Sequence, residues 1–237
     1  MITTVIFDLD DTLYDEIDYC RSGFRAVARF LAQAGGLPAN RDEDDLYNAF
    51  WKHFCSGNRT QTFNAALKEL QIDFNDEVIV SLVSIYRRHE PVLKLPDDTR
   101  KTLDLLTDRY SMAVLTDGYL PAQELKLKAL QIMHYFKHIL YTESLGRSYW
   151  KPNPKGFEML IRKLAVKPSD CVYVGDNPTK DFLPANQLGM ATIQVVRPNR
   201  LHTEAPEEKP AAPDQILGSI SQLPAALQRV KDKRLFP

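Results

Sequence analysis

No apolar run in the 237 residues approaches the length that crosses a bilayer, so nothing in the chain reads as a membrane span. Charge of one sign is not in excess either. The formal net charge is -1, which gives no global attraction to nucleic acid or to an acidic membrane. The basic runs Arg87-Arg88-His89 and Lys231-Asp232-Lys233-Arg234 are short and read as solvated helix faces, not as a nucleic-acid footprint. Cysteine is scarce: Cys20, Cys55 and Cys171 are odd in number, widely spaced and without a C-x-x-C pair, as expected of reduced structural thiols in a cytoplasm. The stretch Met1 to Phe7 lacks the basic start and longer apolar region of a secretory signal, so the expected location is cytoplasmic. No internal repeat occurs. Among the five histidines only His134 and His138 stand four apart, where a turn between elements is favoured over a metal pair.

What is present is an ordinary globular composition, 44% hydrophobic and 26% charged, with enough length for one large domain or two small ones. Val5-Ile6-Phe7 is a short apolar run ending in Asp8-Leu9-Asp10-Asp11, the pattern of a buried strand that opens into a polar site. Similar runs recur at Met112–Leu115, Ile139–Tyr141, Cys171–Val174 and Ala191–Val196. Helical patterns lie between the later ones, at Pro121–Leu130, Pro154–Leu164 and Phe182–Leu188. Strands alternating with helices predict an α/β fold with a doubly wound, Rossmann-like parallel sheet. Gln215–Leu217 and Leu223–Val230 would add a last strand and helix, after an exposed loop over His202–Pro213.

The stretch from about Glu16 to His89 differs, having helical periodicity and almost no strand signal. Leu46, Phe50 and Phe54 recur at four-residue spacing, and Phe63, Leu67 and Leu70 at four and three. Turns are expected at Gly35–Pro38 and Ser56–Asn58. This predicts an all-helical cap domain over residues 15–90, inserted into a discontinuous core of residues 1–14 and 91–237. Asp97-Asp98-Thr99 would start the next helix by capping its free N–H groups.

The chemistry concentrates at the strand ends. In an extended chain Asp8 and Asp10 point to the same side, at the edge where parallel sheets hold ligands. An Asp-x-Asp-x-Thr string is also a common turn or cap, and arises by chance about once in several thousand positions. Three further segments change the weighing: Leu115-Thr116-Asp117-Gly118, Lys151-Pro152, and Gly175-Asp176-Asn177-Pro178-Thr179-Lys180-Asp181 each follow an apolar run. In a parallel sheet such ends share one edge.

Taken in order, Asp-x-Asp-x-Thr, Thr-Asp-Gly, Lys-Pro and Gly-Asp-x-x-x-x-Asp resemble the four motifs of the haloacid-dehalogenase-like hydrolase superfamily, in its phosphatase branch with a helical cap of the first cap class. The motif spacing covers residues 8 to 181. The resemblance implies a phosphatase that hydrolyses a small phosphomonoester, of the sugar phosphate or nucleoside monophosphate class, through an aspartyl-phosphate on Asp8. It makes Asp10 the general acid for the leaving alcohol and then the base for water. Dehalogenase members lack this second acid, so its presence favours phosphate over haloacid.

The same resemblance assigns Thr116, with the N–H groups of Asp117 or Gly118, to the phosphoryl oxygens and Lys151 to positive charge beside Asp8. Clustered carboxylates call for a cation, since two about 4 Å apart repel by roughly 4 kcal/mol at an effective dielectric of 20. Mg²⁺ suits the oxygen ligands, which by resemblance are Asp8, Asp176 and the backbone carbonyl of Asp10, with Asp181 either a ligand or an outer partner. Asp11 and Thr12 read as braces of the loop. Tyr14, Asp15, Glu16, Tyr19, Arg21 and Arg25 lie where the cap starts; Arg21 or Arg25 would hold a second anionic group, or else form a polar helix face. Two alternatives stay open, a phosphomutase with the same nucleophile and a non-catalytic phosphate-binding protein. The natural substrate, the pathway and the oligomeric state are not legible in the chain.

Overall fold

The computed structural model describes residues 1–34, 41–57, 59–203, 205 and 211–235. The turn expected at Gly35–Pro38, Asn58 and residues 204 and 206–210 of the expected loop lie outside the described residues, as do the side chains of the basic run from 231.

Short runs rich in Val, Ile and Thr form six parallel strands: β1 (Thr4–Phe7), β2 (Ser111–Thr116), β3 (His138–Tyr141), β4 (Cys171–Gly175), β5 (Ala191–Val195) and β6 (Gln215–Leu217). Their order is β3-β2-β1-β4-β5-β6. Every residue of β1, β4 and β5 is buried, which is why these runs are apolar without alternation. The register sets Phe7 level with Val114 and Val174, so the residues after them emerge along one edge. Asp8 N–H donates to Val174 O at 2.8 Å, carrying the β1–β4 pairing one step beyond the strand. Chain order runs outward from β1 through β2 and β3 on one side and through β4, β5 and β6 on the other. Beyond the carboxyl ends at such a reversal lies the usual crevice for a ligand.

The helices are α1 (Glu16–Gln33), α2 (Glu43–Cys55), α3 (Thr62–Glu69), α4 (Asp76–Arg88), α5 (Asp97–Thr107), α6 (Ala122–Ala129), α7 (Lys155–Leu164), α8 (Phe182–Gln187) and α9 (Leu223–Leu235). α6, α7 and α8 begin and end within one residue of their expected limits. Phe157, Leu160, Ile161 and Leu164, spaced to share one face of α7, bury against Ala113, Leu115 and Leu140 of β2 and β3. Each such side chain contributes about 1.5–3 kcal/mol when fully buried. α5 starts at Asp97, as expected, and Asp98 accepts the Thr99 N–H, one of the free first-turn groups, at 2.8 Å; it does so from inside the first turn, because Pro96 holds the N-cap position.

The chain divides into two compact units, residues 1–17 with 94–237 and residues 18–93, where the expected breaks were 14/15 and 90/91. The first unit contains the sheet. The second is helical: Leu46, Phe50 and Phe54 of α2 and Phe63 and Leu67 of α3 are buried, and Phe24 of α1 meets Phe50, Phe54 and Phe63 at ring-centroid distances of 6.1, 5.4 and 5.9 Å. α2 begins at a capping box, Asp42 and Asp45 each accepting the other's backbone N–H.

Candidate active site

β1 delivers Asp8 to the strand edge as a residue only 1% exposed. The strand ends at Phe7, Asp10 forms an isolated bridge with Tyr14, and the backbone turns at Asp11, which adopts φ 51°. The carboxylates of Asp8 and Asp10 take different partners. Asp8 Oδ1 lies 2.8 Å from Lys151 Nζ. Asp10 is instead held by Lys126 Nζ at 2.8 and 2.9 Å, by Gln123 Nε2 at 2.8 Å and by the Tyr14 hydroxyl.

The first cluster joins the ends of β1 and β4 through Lys151, which comes from the segment after β3. Lys151 Nζ also donates to Asp181 Oδ1 at 2.7 Å and to the Tyr173 hydroxyl at 2.9 Å. Asp181 Oδ2 accepts the Asn177 N–H at 2.9 Å. A Cβ at Gly175 would fall 2.5 Å from Asp181 Oδ2, so only glycine lets this carboxylate lie against the strand end. Gln194 Nε2 donates to the Asp176 carbonyl at 2.7 Å. Asp117, expected near the phosphoryl group, turns its carboxylate inward to accept the Lys151 N–H and the Thr142 hydroxyl.

Burial sets the electrostatics. It pushes Asp8 up to about 6, although the Lys151 ammonium pulls the other way. Asp176 rises well above the ordinary carboxylate range through burial and the nearby Asp181 and Asp8. Burial opposes ionisation of Asp181 and Asp10 too, but Lys151 and Lys180 hold Asp181 low and Lys126 holds Asp10 low. Lys151 stays an ammonium because Asp181 and Asp8 outweigh its desolvation. Glu16, 3.6 Å from Lys126, is pushed up to about 7 by burial and by Asp10.

Carboxylate oxygens of Asp8, Asp176 and Asp181 lie within 4.8 Å of one another. Asp8 Oδ2 and Asp176 Oδ2 are buried and accept no hydrogen bond among the described residues. Hard anionic oxygens, two of them unpartnered, suit a divalent cation such as Mg²⁺. The donor set fits.

The motif residues Asp8, Lys151, Asp176 and Asp181 thus meet directly, and Asp10 and Thr116 are linked through Gln123. Arg21 and Arg25 are engaged within their own unit: Arg21 pairs with Asp18 at 3.0 Å and Arg25 with Asp44. His134 and His138 share no helix; the His134 ring meets that of Tyr135 at a tilt of 36° and His138 opens β3. Sequence reasoning missed Gln123, Lys126 and Tyr173. A buried polar pair three apart on α6 carries no motif, and a tyrosine inside an apolar strand looks like packing.

No helix among the described residues is long and apolar enough to cross a membrane. A family model described as haloacid dehalogenase-like hydrolase matches residues 2–189. The chain is 32% identical over 202 residues to a glyceraldehyde 3-phosphate phosphatase of Methanopyrus kandleri, covering 83% of this chain and 85% of the relative. It is 27% identical over 235 residues to a protein of the same name from Methanocaldococcus jannaschii, covering 98% and 99%. A solved structure described as a 2-haloacid dehalogenase of Pseudomonas syringae matches at TM-score 0.63 and 27% identity, over 97% of this chain and 99% of that one.

Proposed function

The chain belongs to the haloacid dehalogenase-like hydrolase family and is a phosphatase, and from that premise we propose that it hydrolyses a small phosphomonoester through a covalent phosphoryl group on Asp8. One observation carries the reading: Asp8 Oδ1 is anchored to Lys151 while Oδ2 is buried and unpartnered. A carboxylate held by one oxygen presents the other as a nucleophile.

In the proposed reaction Asp8 attacks phosphorus, the ester P–O bond breaks, and the leaving alkoxide takes a proton from Asp10. A water then attacks the phosphoryl group, giving its proton to Asp10, and the bond to Asp8 breaks to release phosphate. Asp10 is held as a carboxylate by Lys126, the form the second step needs. A phosphate dianion arriving beside it raises its proton affinity by like-charge repulsion, as the first step needs. The Lys151 ammonium, the Thr116 hydroxyl and the N–H groups of Asp117 and Gly118 serve the phosphoryl oxygens as their charge redistributes. Asp8, Asp176, the Asp10 carbonyl and Asp181 would hold Mg²⁺, which when bound neutralises phosphoryl charge. Residues 18–93 are read as the cap domain of the family.

Two relatives are named for glyceraldehyde 3-phosphate, which makes a triose phosphate the first sugar phosphate to assay, ahead of nucleoside monophosphates. The test measures phosphate release from a panel of esters, with Mg²⁺ or with chelator, for the wild type and Asp8→Asn. The expected result is Mg²⁺-dependent turnover that Asp8→Asn abolishes. Undiminished turnover by Asp8→Asn would reject the covalent route, and halide release from a 2-haloacid in place of phosphate release would reject the ester.

A further inference from the structure

Gln123 and Lys126 lie three apart on α6, and both are buried, at 1% and 3% exposure. An amide and an ammonium on the inner face of a helix occupy positions that packing alone fills with apolar side chains. Both point at the same carboxylate. Lys126 Nζ spans the two oxygens of Asp10 at 2.8 and 2.9 Å, and Gln123 Nε2 donates to Oδ2 at 2.8 Å.

An ionised carboxylate only accepts hydrogen bonds, so the amide nitrogen of Gln123, not its oxygen, faces Asp10. That nitrogen carries two hydrogens. The second goes to Thr116 Oγ1 at 2.7 Å. Because Thr116 accepts from Gln123, its own O–H must point elsewhere, and the acceptor it reaches is the Asp117 carbonyl at a long 3.3 Å. The loop is shaped around this amide. Gly118 adopts φ +128°, and a Cβ there would fall 2.7 Å from Gln123 Cδ. Asp10, Thr116, Gly118, Gln123 and Lys126 all belong to one compact unit.

We propose that Gln123 and Lys126 are positioning residues, one helix turn that sets the Asp10 carboxylate in place and, through the Gln123 amide, aims the Thr116 hydroxyl. The inference rests on the reading of Asp10 as acid and base and of Thr116 as a phosphoryl donor. It adds a division of labour. Lys126 reaches Asp10 but not Thr116, whereas Gln123 reaches both groups.

The experiment compares kcat/KM for an alkyl ester, glyceraldehyde 3-phosphate, and an activated aryl ester, p-nitrophenyl phosphate. The aryl leaving group departs with little help from an acid, so the alkyl-to-aryl ratio reports how well Asp10 is placed. Effects on phosphoryl binding are common to both esters and cancel in the ratio. Gln123→Met and Lys126→Met are each expected to lower the ratio by about 10- to 100-fold, a part of the roughly 100- to 10,000-fold that general acid catalysis supplies. Only Gln123→Met should also raise KM for the aryl ester. Adding either change to Asp10→Asn should leave the ratio where Asp10→Asn alone puts it, the signature of residues acting through Asp10.

If Asp10→Asn lowers the ratio and both α6 variants leave it at the wild-type value, this inference is overturned and the reading of Asp10 stands. If Asp10→Asn does not move the ratio, the acid role itself fails and the positioning role with it. Should a methionine variant not fold, Lys126→Arg and Gln123→Asn keep polarity, change reach and answer to the same ratio.

Discussion

The backbone N–H of Lys151 points at both carboxylate oxygens of Asp117, at 3.1 and 3.2 Å. A residue just past β2 therefore fixes the base of the lysine whose ammonium reaches Asp8. Thr142 completes the brace, donating to Asp117 Oδ1 at 2.7 Å. Asp117→Ala would leave a buried N–H and a buried hydroxyl without this acceptor, at about 1–3 kcal/mol each. The expected outcome is a lower melting temperature and a kcat reduced by more than KM is raised, read from thermal melts and steady-state kinetics. An unchanged kcat would separate the brace from the reaction.

Lys151→Met removes an ammonium that bridges Asp8 and Asp181. Breaking a buried pair by deleting one partner costs about 3–5 kcal/mol, because the other charge stays behind. Denaturant unfolding should show that loss, and phosphate release should fall by at least about 100-fold, the scale on which removing one transition-state donor acts. Retained activity in a folded Lys151→Met protein would contradict the proposed role.

Gly175→Ala places a methyl group into the space of Asp181 Oδ2. The carboxylate has to move, and Lys151 and the Asn177 N–H lose their partner together. The expected outcome is a destabilisation of about 1–3 kcal/mol and a weaker Mg²⁺ requirement curve, shifted to higher concentration in an activity titration. An unshifted titration would show that Asp181 does not influence the metal.

The metal-free protein should lose stability as pH rises from about 4 to 7. Asp8 keeps its proton up to about 6 in the folded chain and Glu16 up to about 7, above the ordinary values of 3.8 and 4.5. Within that window the folded state holds protons the unfolded state has released, so raising pH favours unfolding. For Asp8 alone the effect is roughly 3 kcal/mol, at about 1.4 kcal/mol per pKa unit. Asp181, held low, works in the opposite sense, but only below pH 4. Melts in EDTA across this range should show the decline, and added Mg²⁺ should raise the melting temperature more at pH 8 than at pH 5. A melting temperature in EDTA that climbs from pH 5 to 7 would contradict the assignment.

Much of the strand edge is legible in the chain of residues alone. Val5–Phe7, Met112–Leu115 and Cys171–Val174 stand out because strands buried on both faces must be apolar without alternation. The helices after them are equally plain, since an amphipathic stripe such as Phe157, Leu160, Ile161 and Leu164 needs only the helical period. Which residue holds the N-cap of α5 is not, because two adjacent aspartates fit a cap or a first turn equally well.

The sequence by itself determined which acids, hydroxyl and lysine follow the apolar strand runs, because parallel strands of one sheet finish along one edge. Only the tertiary structure decided how they pair. Asp8 takes Lys151, and Asp10, two residues on, takes Lys126 and Gln123 from a helix more than a hundred residues away. Such pairings depend on through-space distances of about 3 Å between side chains that local propensity leaves uncorrelated. They persist because burying each of these groups alone would cost more than the fold can spare.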